Sequence, residues 1–422
     1  MTAAVPTLPP AREIPSSFVG SVKSWWAAGE KDSAASEERL LRKLPFFQSD
    51  SWQRTDPSQP IIATSSRVTL SPKRHINTLS ILPVSPRATS TSKPSPAVLL
   101  HGYGAGLGFF FRNFPTLGSW VAKSGSALYA LDWLGMGRSS RPPFTITARR
   151  TDTEARVHQA ESFFVDSLEE WRAAMGLERM TLIGHSLGAY FSVVYALRYP
   201  QHVDRLILLS PAGVPRGESA SSPAQELTDD QRDMSSSNGS KNGNGVVKTP
   251  SRQEVKALEE ETKKKKREQT RTQKLFTYLW EEGFSPFQVV RTLSVFGPLL
   301  VGKYSSRRFS SLTEEETRDM NDYILNITLA KGSGEYCISH ILAPFAQARL
   351  PLVDRISAFK GPVTFVYGDH DWMDPVGGLE SVEKLREAGN NQAQFYIIKN
   401  AGHHVYLDNA KAVNDLLYKE LR

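Results

Sequence analysis

The stretch that decides the fold is Met180-Thr181-Leu182-Ile183-Gly184-His185-Ser186-Leu187-Gly188, continued by an apolar run to Tyr199. Met180 to Ile183 reads as a buried strand, and Leu187 to Tyr199 is long and apolar enough for a helix. Between them, Gly-x-Ser-x-Gly has both supports that a nucleophile elbow needs. The serine occupies a strained turn that exposes its hydroxyl at the sheet edge, and the small residues beside it let strand and helix approach closely. The same five residues in a loop would be a glycine-rich turn and nothing more.

Working outward, strands and helices alternate. Arg67 to Leu70 and Ile76 to Leu82 read as strands, followed by a Ser/Thr/Pro linker from Ser85 to Pro96 and a buried strand, Ala97 to Leu100. A helical stretch after Leu107, a strand from Ala127 to Leu131 and a long amphipathic helix between Asp152 and Met175 precede the elbow, and strand Arg205 to Leu209 follows it. The pattern resumes with strands Val363 to Tyr367 and Gln394 to Ile398, and a last helix after Ala410. Such alternation predicts an α/β fold with a mostly parallel sheet, helices on both faces and a helical cap inserted before the last two strands.

Three segments break the alternation. The Pro/Ser-rich opening carries Phe18, Val22, Trp25 and Trp26 at the spacing of one helical face. Two readings stay open: a helix docked on the core by that face, or an interfacial anchor whose tryptophans seek the lipid headgroup zone while Lys23 meets anionic lipid. Between Val214 and about Arg271 the chain is Ser/Asn/Gly-rich and then highly charged, with a basic run at Lys263 to Arg267, and is expected to be disordered. The solvated helix face is the plainer reading of that run, an anionic lipid contact the other. From Leu275 to about Leu350 the chain is helical and rich in Phe276, Leu279, Trp280, Phe284, Phe287 and their like, as a cap over the carboxyl ends of parallel strands would be. The expected division is an N-terminal segment (1–60), a first core part (61–213), the insertion (214–272), the cap (273–350) and a second core part (351–422).

Composition narrows the class. Of 422 residues 40% are apolar and 23% charged, which excludes wholesale disorder, collagen and coiled coil. A single cysteine, Cys337, excludes an intramolecular disulfide. The net charge of +7 suits nucleic acid, anionic lipid or solubility, but no nucleic-acid recognition fold or aromatic platform accompanies it, so no nucleic-acid partner is expected. No stretch reaches the roughly 18 apolar residues that cross a bilayer, and the start lacks a secretory signal pattern.

A serine hydroxyl needs a base to take its proton and a carboxylate to orient that base. Both follow Ser186 in the order acid, then histidine. Gly368-Asp369-His370-Asp371-Trp372-Met373-Asp374 lies after one strand and Gly402-His403-His404 after the next. His403, directly after a glycine, is the expected base, and Asp371 the expected acid, with Asp374 and then Asp369 as competitors. The N–H of Leu187, next to the nucleophile, and that of Tyr103, in His101-Gly102-Tyr103-Gly104, are the expected oxyanion donors. No metal is expected, because His and Cys lack ligand spacing, and no cofactor is needed.

These residues resemble the α/β-hydrolase family of lysophospholipid acyltransferases and phospholipases that includes the fungal mitochondrial cardiolipin-specific deacylases. The resemblance is carried by His101-Gly102-Tyr103-Gly104-Ala105-Gly106-Leu107-Gly108, Asp132-Trp133-Leu134-Gly135-Met136-Gly137-Arg138-Ser139-Ser140-Arg141-Pro142, Glu169-Glu170-Trp171-Arg172, the elbow, and Gly402-His403-His404-Val405-Tyr406-Leu407-Asp408. It covers most of the chain outside the insertion. It implies the α/β-hydrolase fold, and a His-x-x-x-x-Asp pair, His403 and Asp408, from which acyltransferase activity has been proposed. Some relatives use an acid at the position matching Asp374; others carry asparagine in place of the serine and act as lipase coactivators, a pattern from which Ser186 departs.

The expected function is acyl-ester hydrolysis of a phospholipid or lysophospholipid at an anionic membrane surface, with cardiolipin the substrate that the resemblance implies. Alternatives are an acyl-CoA-dependent lysophosphatidic acid acyltransferase, with His403 and Asp408 as reactive pair, and a non-catalytic lipid-bound lipase coactivator. The resemblance alone implies a mitochondrial location; a lipid-droplet surface or the cytoplasm are the alternatives.

Overall fold

A computed structural model describes residues 8–49, 58–85, 93–216, 245–248, 253, 278–344 and 347–422. Phe276 and the basic run at 263–267 lie outside the described residues. In chain order the elements that matter are α1 (Phe18–Ala27), α2 (Glu30–Leu41), β1 (Phe47–Gln48), β2 (Ile61–Ser71), β3 (Arg74–Pro83), β4 (Ala97–Leu100), α3 (Phe114–Ser124), β5 (Leu128–Leu131), α4 (Thr153–Ala174), β6 (Met180–His185), α5 (Leu187–Arg198), β7 (Val203–Leu209) and β8 (Val246–Lys248). The cap contributes α6 (Pro286–Thr292), α7 (Gly297–Arg308), α8 (Glu314–Leu329) and α9 (Ile338–Ile341), followed by a ribbon of β9 (Leu342–Ala343) and β10 (Gln347–Ala348). The chain closes with β11 (Val363–Gly368), α10 (Pro375–Glu387), β12 (Ala393–Ile398), α11 (Val405–Asp408) and α12 (Ala410–Glu420).

The sheet order is β1-β2-β3-β5-β4-β6-β7-β11-β12-β8, and the run from β5 to β12 is parallel. Its strands are apolar on both faces because both are covered. Val98, Leu182, Leu206 and Phe365 face one core layer with Trp171 and Phe191, while Leu99, Ile183, Ile207 and Val366 face the other with Trp120 and Leu416. Period-two side-chain alternation thus sends neighbours in one strand to opposite layers. The order in which strands are added reverses about β4: β5 lies on one side of it and β6 on the other. A crevice at the carboxyl ends of the strands opens at such a switch point.

Several expectations change in detail. The two short strands predicted within 67–82 extend into a hairpin paired from Ile61↔Pro83 to Ser71↔Arg74, because backbone pairing carries polar residues such as Ser65 and Ser66 along. The helix expected after Leu107 begins as a 3-10 turn, Leu107–Phe110, and becomes α-helical only at Phe114, where Pro115 favours a first turn. The insertion expected to be disordered is ordered at two places. Val214 is fully buried, and Val246–Lys248 pairs antiparallel with β12, covering backbone groups that would otherwise be a bare sheet edge.

The N-terminal segment docks differently from the packed-aromatic reading. In α1 the buried residues are Ser21 and Ser24; Trp26 is 82% exposed, and Phe18 and Trp25 are exposed as well. Small serines let the helix lie close against the cap, and the Ser21 hydroxyl donates to the Val295 carbonyl. Charges hold the rest of the segment. Asp322 on α8 accepts from Arg12 and from Arg39, and Asp319 pairs with Lys43 at 2.8 Å. Asp322 is nearly buried, so its two guanidinium partners replace water that it has lost. Removing it leaves Arg12 the longer contact with Asp32, at 3.4 Å, and Arg39 that with Asp319, at 3.6 Å. Asp322→Ala is expected to destabilise the protein by about 3 kcal/mol in denaturant titration and to raise amide exchange across residues 8–41, with Leu117→Ile serving as a core control that leaves that exchange unchanged.

Candidate active site

Ser186 follows β6 and opens α5 with φ 53° and ψ −118°, a left-handed conformation unfavourable for a residue with a side chain. The neighbours make it possible. A Cβ on Gly188 would stand 2.4 Å from the Leu100 carbonyl oxygen, and one on Gly184 2.6 Å from the Ala189 backbone. Only glycine at both positions lets the strand, the turn and the helix come this close.

The Ser186 hydroxyl lies 3.0 Å from His403 Nε2, and His403 Nδ1 lies 3.2 Å from Asp371 Oδ1. A carboxylate only accepts, so Nδ1 carries the proton and Nε2 is left to accept from the serine. The three residues come from the ends of β6, β11 and β12, and all are buried. Asp371 Oδ1 also accepts from the Met373 N–H at 3.0 Å, which fixes the carboxylate in its turn. Asp374 is the N-cap of α10, where Oδ1 accepts from Val376 N–H at 2.8 Å. Asp369 instead ties the loop together, accepting from the Ala401 N–H at 3.1 Å.

The loop after β4 stands over the serine: a Cβ on Gly102 would lie 2.9 Å from Ser186 Cβ. His101 sets its geometry. Its Nδ1–H donates to the Gly102 carbonyl at 2.8 Å, and its Nε2 accepts from Trp133 N–H at 3.1 Å. That pattern needs the neutral ring, and burial lowers the pKa of His101 accordingly. In a trans peptide the N–H points opposite the carbonyl, so anchoring the Gly102 carbonyl also sets the direction of the Tyr103 N–H. Asp132 pins the far end of the loop by accepting from Leu107 N–H at 2.7 Å. Leu187 begins α5, where the first N–H groups have no intrahelical acceptor and carry the positive end of the helix dipole.

Three contributors escaped the sequence reading. His185 donates from Nε2 to the His403 carbonyl at 3.0 Å and so holds the backbone of the expected base; burial, then the neighbouring His403 and His404, push its pKa well down. Trp372 places its ring 4.7 Å from that of His403. Arg308, at the end of cap helix α7, donates to Asp408 Oδ1 at 2.9 Å and to His404 Nδ1 at 3.3 Å. The other Asp408 oxygen accepts from Gly402 N–H at 3.0 Å. The carboxylate expected to pair with His403 for acyl transfer is therefore seated on Arg308 and Gly402, while both ring nitrogens of His403 face Ser186 and Asp371. The double-histidine and Gly-x-x-Asp patterns marked the loop, but nothing local in sequence linked Arg308 to it across about a hundred positions.

Above the site, Phe287 of α6 lies against Gly104 and packs its ring 5.2 Å from that of Tyr103. The expected membrane-contact residues Phe18, Trp25 and Trp26 form an outward face of α1 with Val22 half-buried beneath them. The face continues onto the cap: Phe18 meets Phe296 at 5.3 Å, and Val289, Leu293 and Leu300 are exposed nearby in sequence. Among the described residues no group of His, Cys, Asp and Glu is arranged to hold a metal, and no helix is long and apolar enough to cross a membrane.

The profile of the family described as alpha/beta hydrolase fold matches residues 96–242 and 266–410. A 1-acylglycerol-3-phosphate O-acyltransferase of Arabidopsis thaliana is 34% identical over 384 residues, covering 89% of this chain and 76% of that protein. A (lyso)-N-acylphosphatidylethanolamine lipase of Homo sapiens is 29% identical over 325 residues, covering 76% of this chain and 77% of its own. The chain spans about two thirds to four fifths of the length of the curated relatives it matches. A putative hydrolase from Bacillus subtilis, 14% identical, superposes over 93% of this chain and 99% of that one with a TM-score of 0.51, a likeness in fold. Sheet order, elbow geometry and sequence agree: the chain belongs to the α/β-hydrolase fold family, among relatives named as lysophospholipid acyltransferases and lipases.

Proposed function

We propose that this chain is a serine-dependent acyl-ester hydrolase that acts on glycerophospholipids at a membrane surface. The observation that carries the reading is the Ser186–His403–Asp371 chain of contacts, 3.0 and 3.2 Å long, at the carboxyl ends of three strands. His403 takes the Ser186 proton as Oγ attacks the ester carbonyl. The Leu187 and Tyr103 N–H groups receive the oxyanion, each worth about 3–4 kcal/mol in such sites. His403 then returns the proton to the departing glycerol oxygen. Water, deprotonated by the same imidazole, attacks the acyl-enzyme and releases the fatty acid.

The exposed aromatic face of α1 and the cap supports a lipid surface as the place of reaction, because tryptophan and phenylalanine beside Lys23 suit the headgroup zone of an anionic bilayer. Cardiolipin at a mitochondrial membrane is the first substrate and place to test, on resemblance alone, with a lipid-droplet surface next. Lipid analysis of cells with and without the protein decides between them.

Acyl transfer is a second reading, favoured by the likeness to the plant 1-acylglycerol-3-phosphate O-acyltransferase. In this geometry it runs through the same acyl-enzyme, with a lysophospholipid hydroxyl replacing water and acyl-CoA as donor, and Asp408 supports the His403 loop. A lipase-coactivator role without chemistry is the third.

Ser186→Ala is expected to lower ester turnover at least about a thousandfold and to abolish labelling by a fluorophosphonate probe. Undiminished transfer in that variant would sink the mechanism, and failure of the folded wild type to label would favour the coactivator. Asp371→Asn is expected to cost about a hundredfold or more in kcat, and Asp374→Asn less than tenfold; the reverse order would move the acid to Asp374. Asp408→Asn should leave the ratio of phosphatidic acid formed to fatty acid released unchanged, measured with radiolabelled acyl-CoA and lysophosphatidic acid. Trp26→Ser combined with Phe296→Ser is expected to weaken sedimentation with anionic vesicles about tenfold or more, and to slow turnover of vesicle lipid more than turnover of a soluble short-chain ester.

A further inference from the structure

The backbone around His403 is pinned on both sides. After His403 the chain makes one helical turn, α11, in which the Leu407 and Asp408 N–H groups donate to the His404 carbonyl at 2.8 and 3.0 Å. That turn returns the Asp408 carboxylate to the start of the loop, where Oδ2 accepts from the Gly402 N–H. The peptide between Ala401 and Gly402 is thereby held at both ends, because the Ala401 carbonyl accepts from the His370 N–H at 3.0 Å. On the far side of His403, its own carbonyl is held by His185.

Asp408 is held in turn from the cap. Arg308 donates through Nη2 to Asp408 Oδ1 at 2.9 Å and through Nε to His404 Nδ1 at 3.3 Å. A planar guanidinium fixes two acceptors at once, which a lysine ammonium, a point charge on a flexible stem, does not do. The His404 ring is stacked on Phe109 at 5.9 Å and 22°, and Phe309, next to Arg308 in the chain, meets Phe109 at 6.2 Å. Cap and loop thus share one apolar seam around the ion pair. The side chains of Arg308 and Asp408 are only 4% and 6% exposed, so water does not stand in for either partner. The field of the pair reaches the neighbouring rings: after burial and the nearby His403 and His404, Arg308 is among the charges that lower the pKa of His185, whose ring lies 4.8 Å from that of His403.

We infer that Arg308 is a positioning residue for His403, acting through Asp408: by seating this guanidinium, the cap sets the backbone that presents the imidazole to Ser186. Only in making His403 the base does this rest on the hydrolase reading above. It gives the five-residue spacing of His403 and Asp408 a task other than acyl transfer, and it makes a seated cap a condition of full reactivity at Ser186.

The two charges have opposite signs and stand near the same ring, against which Asp371, His185 and His404 are the other titratable groups. Arg308→Gln leaves the Asp408 carboxylate unbalanced, which favours the imidazolium and raises the pH at which His403 titrates. Asp408→Asn leaves the guanidinium unbalanced and lowers that pH. At an effective dielectric of about 20, each shift is on the order of one pH unit. Loosened packing alone would move both variants in the same direction.

The test follows the His403 titration by NMR of the imidazole Cε1–H in histidine-labelled protein, the signal being assigned by its loss in His403→Gln, together with the pH dependence of fluorophosphonate labelling at Ser186. Opposite shifts are expected in the two single variants, each labelling about tenfold more slowly at its best pH. Arg308→Lys, which keeps the charge and one contact, should recover labelling to within about threefold of wild type. The double variant Arg308→Gln/Asp408→Asn has no unpaired ion, so it remains informative where a single variant folds poorly; it should titrate close to wild type yet still label slowly. Shifts in one direction, no shift in either single variant, or undiminished labelling in the double variant would overturn the inference. Opposite shifts in a protein whose Ser186 fails to label would leave the positioning role standing and count against the hydrolase reading instead.

Discussion

Everything in the site depends on how closely β6 and α5 approach each other around Ser186. The serine's positive φ is tolerable only because Gly184 and Gly188 let the Ala189 backbone and the Leu100 carbonyl stand where a Cβ would be. Local strain of this kind persists when its surroundings over-determine it. Here those surroundings are the centre of a parallel sheet buried on both faces, where Leu182 and Ile183 are locked into opposite core layers. The packing energy of that core holds a single hydroxyl at the mouth of the switch-point crevice.

Around that fixed point, His403 is held by a set of short contacts that do not touch its ring nitrogens. His185 grips the His403 carbonyl, Asp408 grips the Gly402 N–H, and Arg308 spans from the cap to Asp408 and His404. Arg308 and Asp408 are both nearly buried, so water screens their attraction little, and the end of a cap helix is tied to the loop of His403. The same helix begins beside Phe296 and the exposed face of α1. The exposed aromatic face, the cap and the His403 imidazole are therefore joined by one continuous chain of contacts.

The N-terminal segment is part of that unit and not an appendage. Its arginines and Lys43 neutralise Asp319 and Asp322 of α8, and Leu40 and Leu41 are fully buried in the core. Glu37 of the same segment lies buried beside Arg138, Asp132 and Asn77; burial is the main cause raising its pKa to about 7, against the pull of Arg138. A carboxyl raised in this way loses stability for the fold as pH climbs through the range from its ordinary value of 4.5 toward 7, because the unfolded chain releases the proton first.

Sequence alone determined the parallel sheet, the elbow, and the order serine, acid, histidine, because each is written in local patterns: apolar runs of strand length, glycines two positions from a serine, short polar loops after strands. It also marked the aromatic face of α1, since helical periodicity is local too. It left undecided which way that face turns, which of three aspartates meets Nδ1, and what Asp408 does. Those depend on contacts between residues far apart in the chain. Ser21 and Ser24, not the aromatics, are small enough to seat α1 against the cap; Asp371, not Asp369, ends its turn with an oxygen on the imidazole; and Asp408 lies under a guanidinium from another segment. The ion pair of Arg291 with Glu335 belongs to the same class, for it joins residues 44 positions apart in the chain.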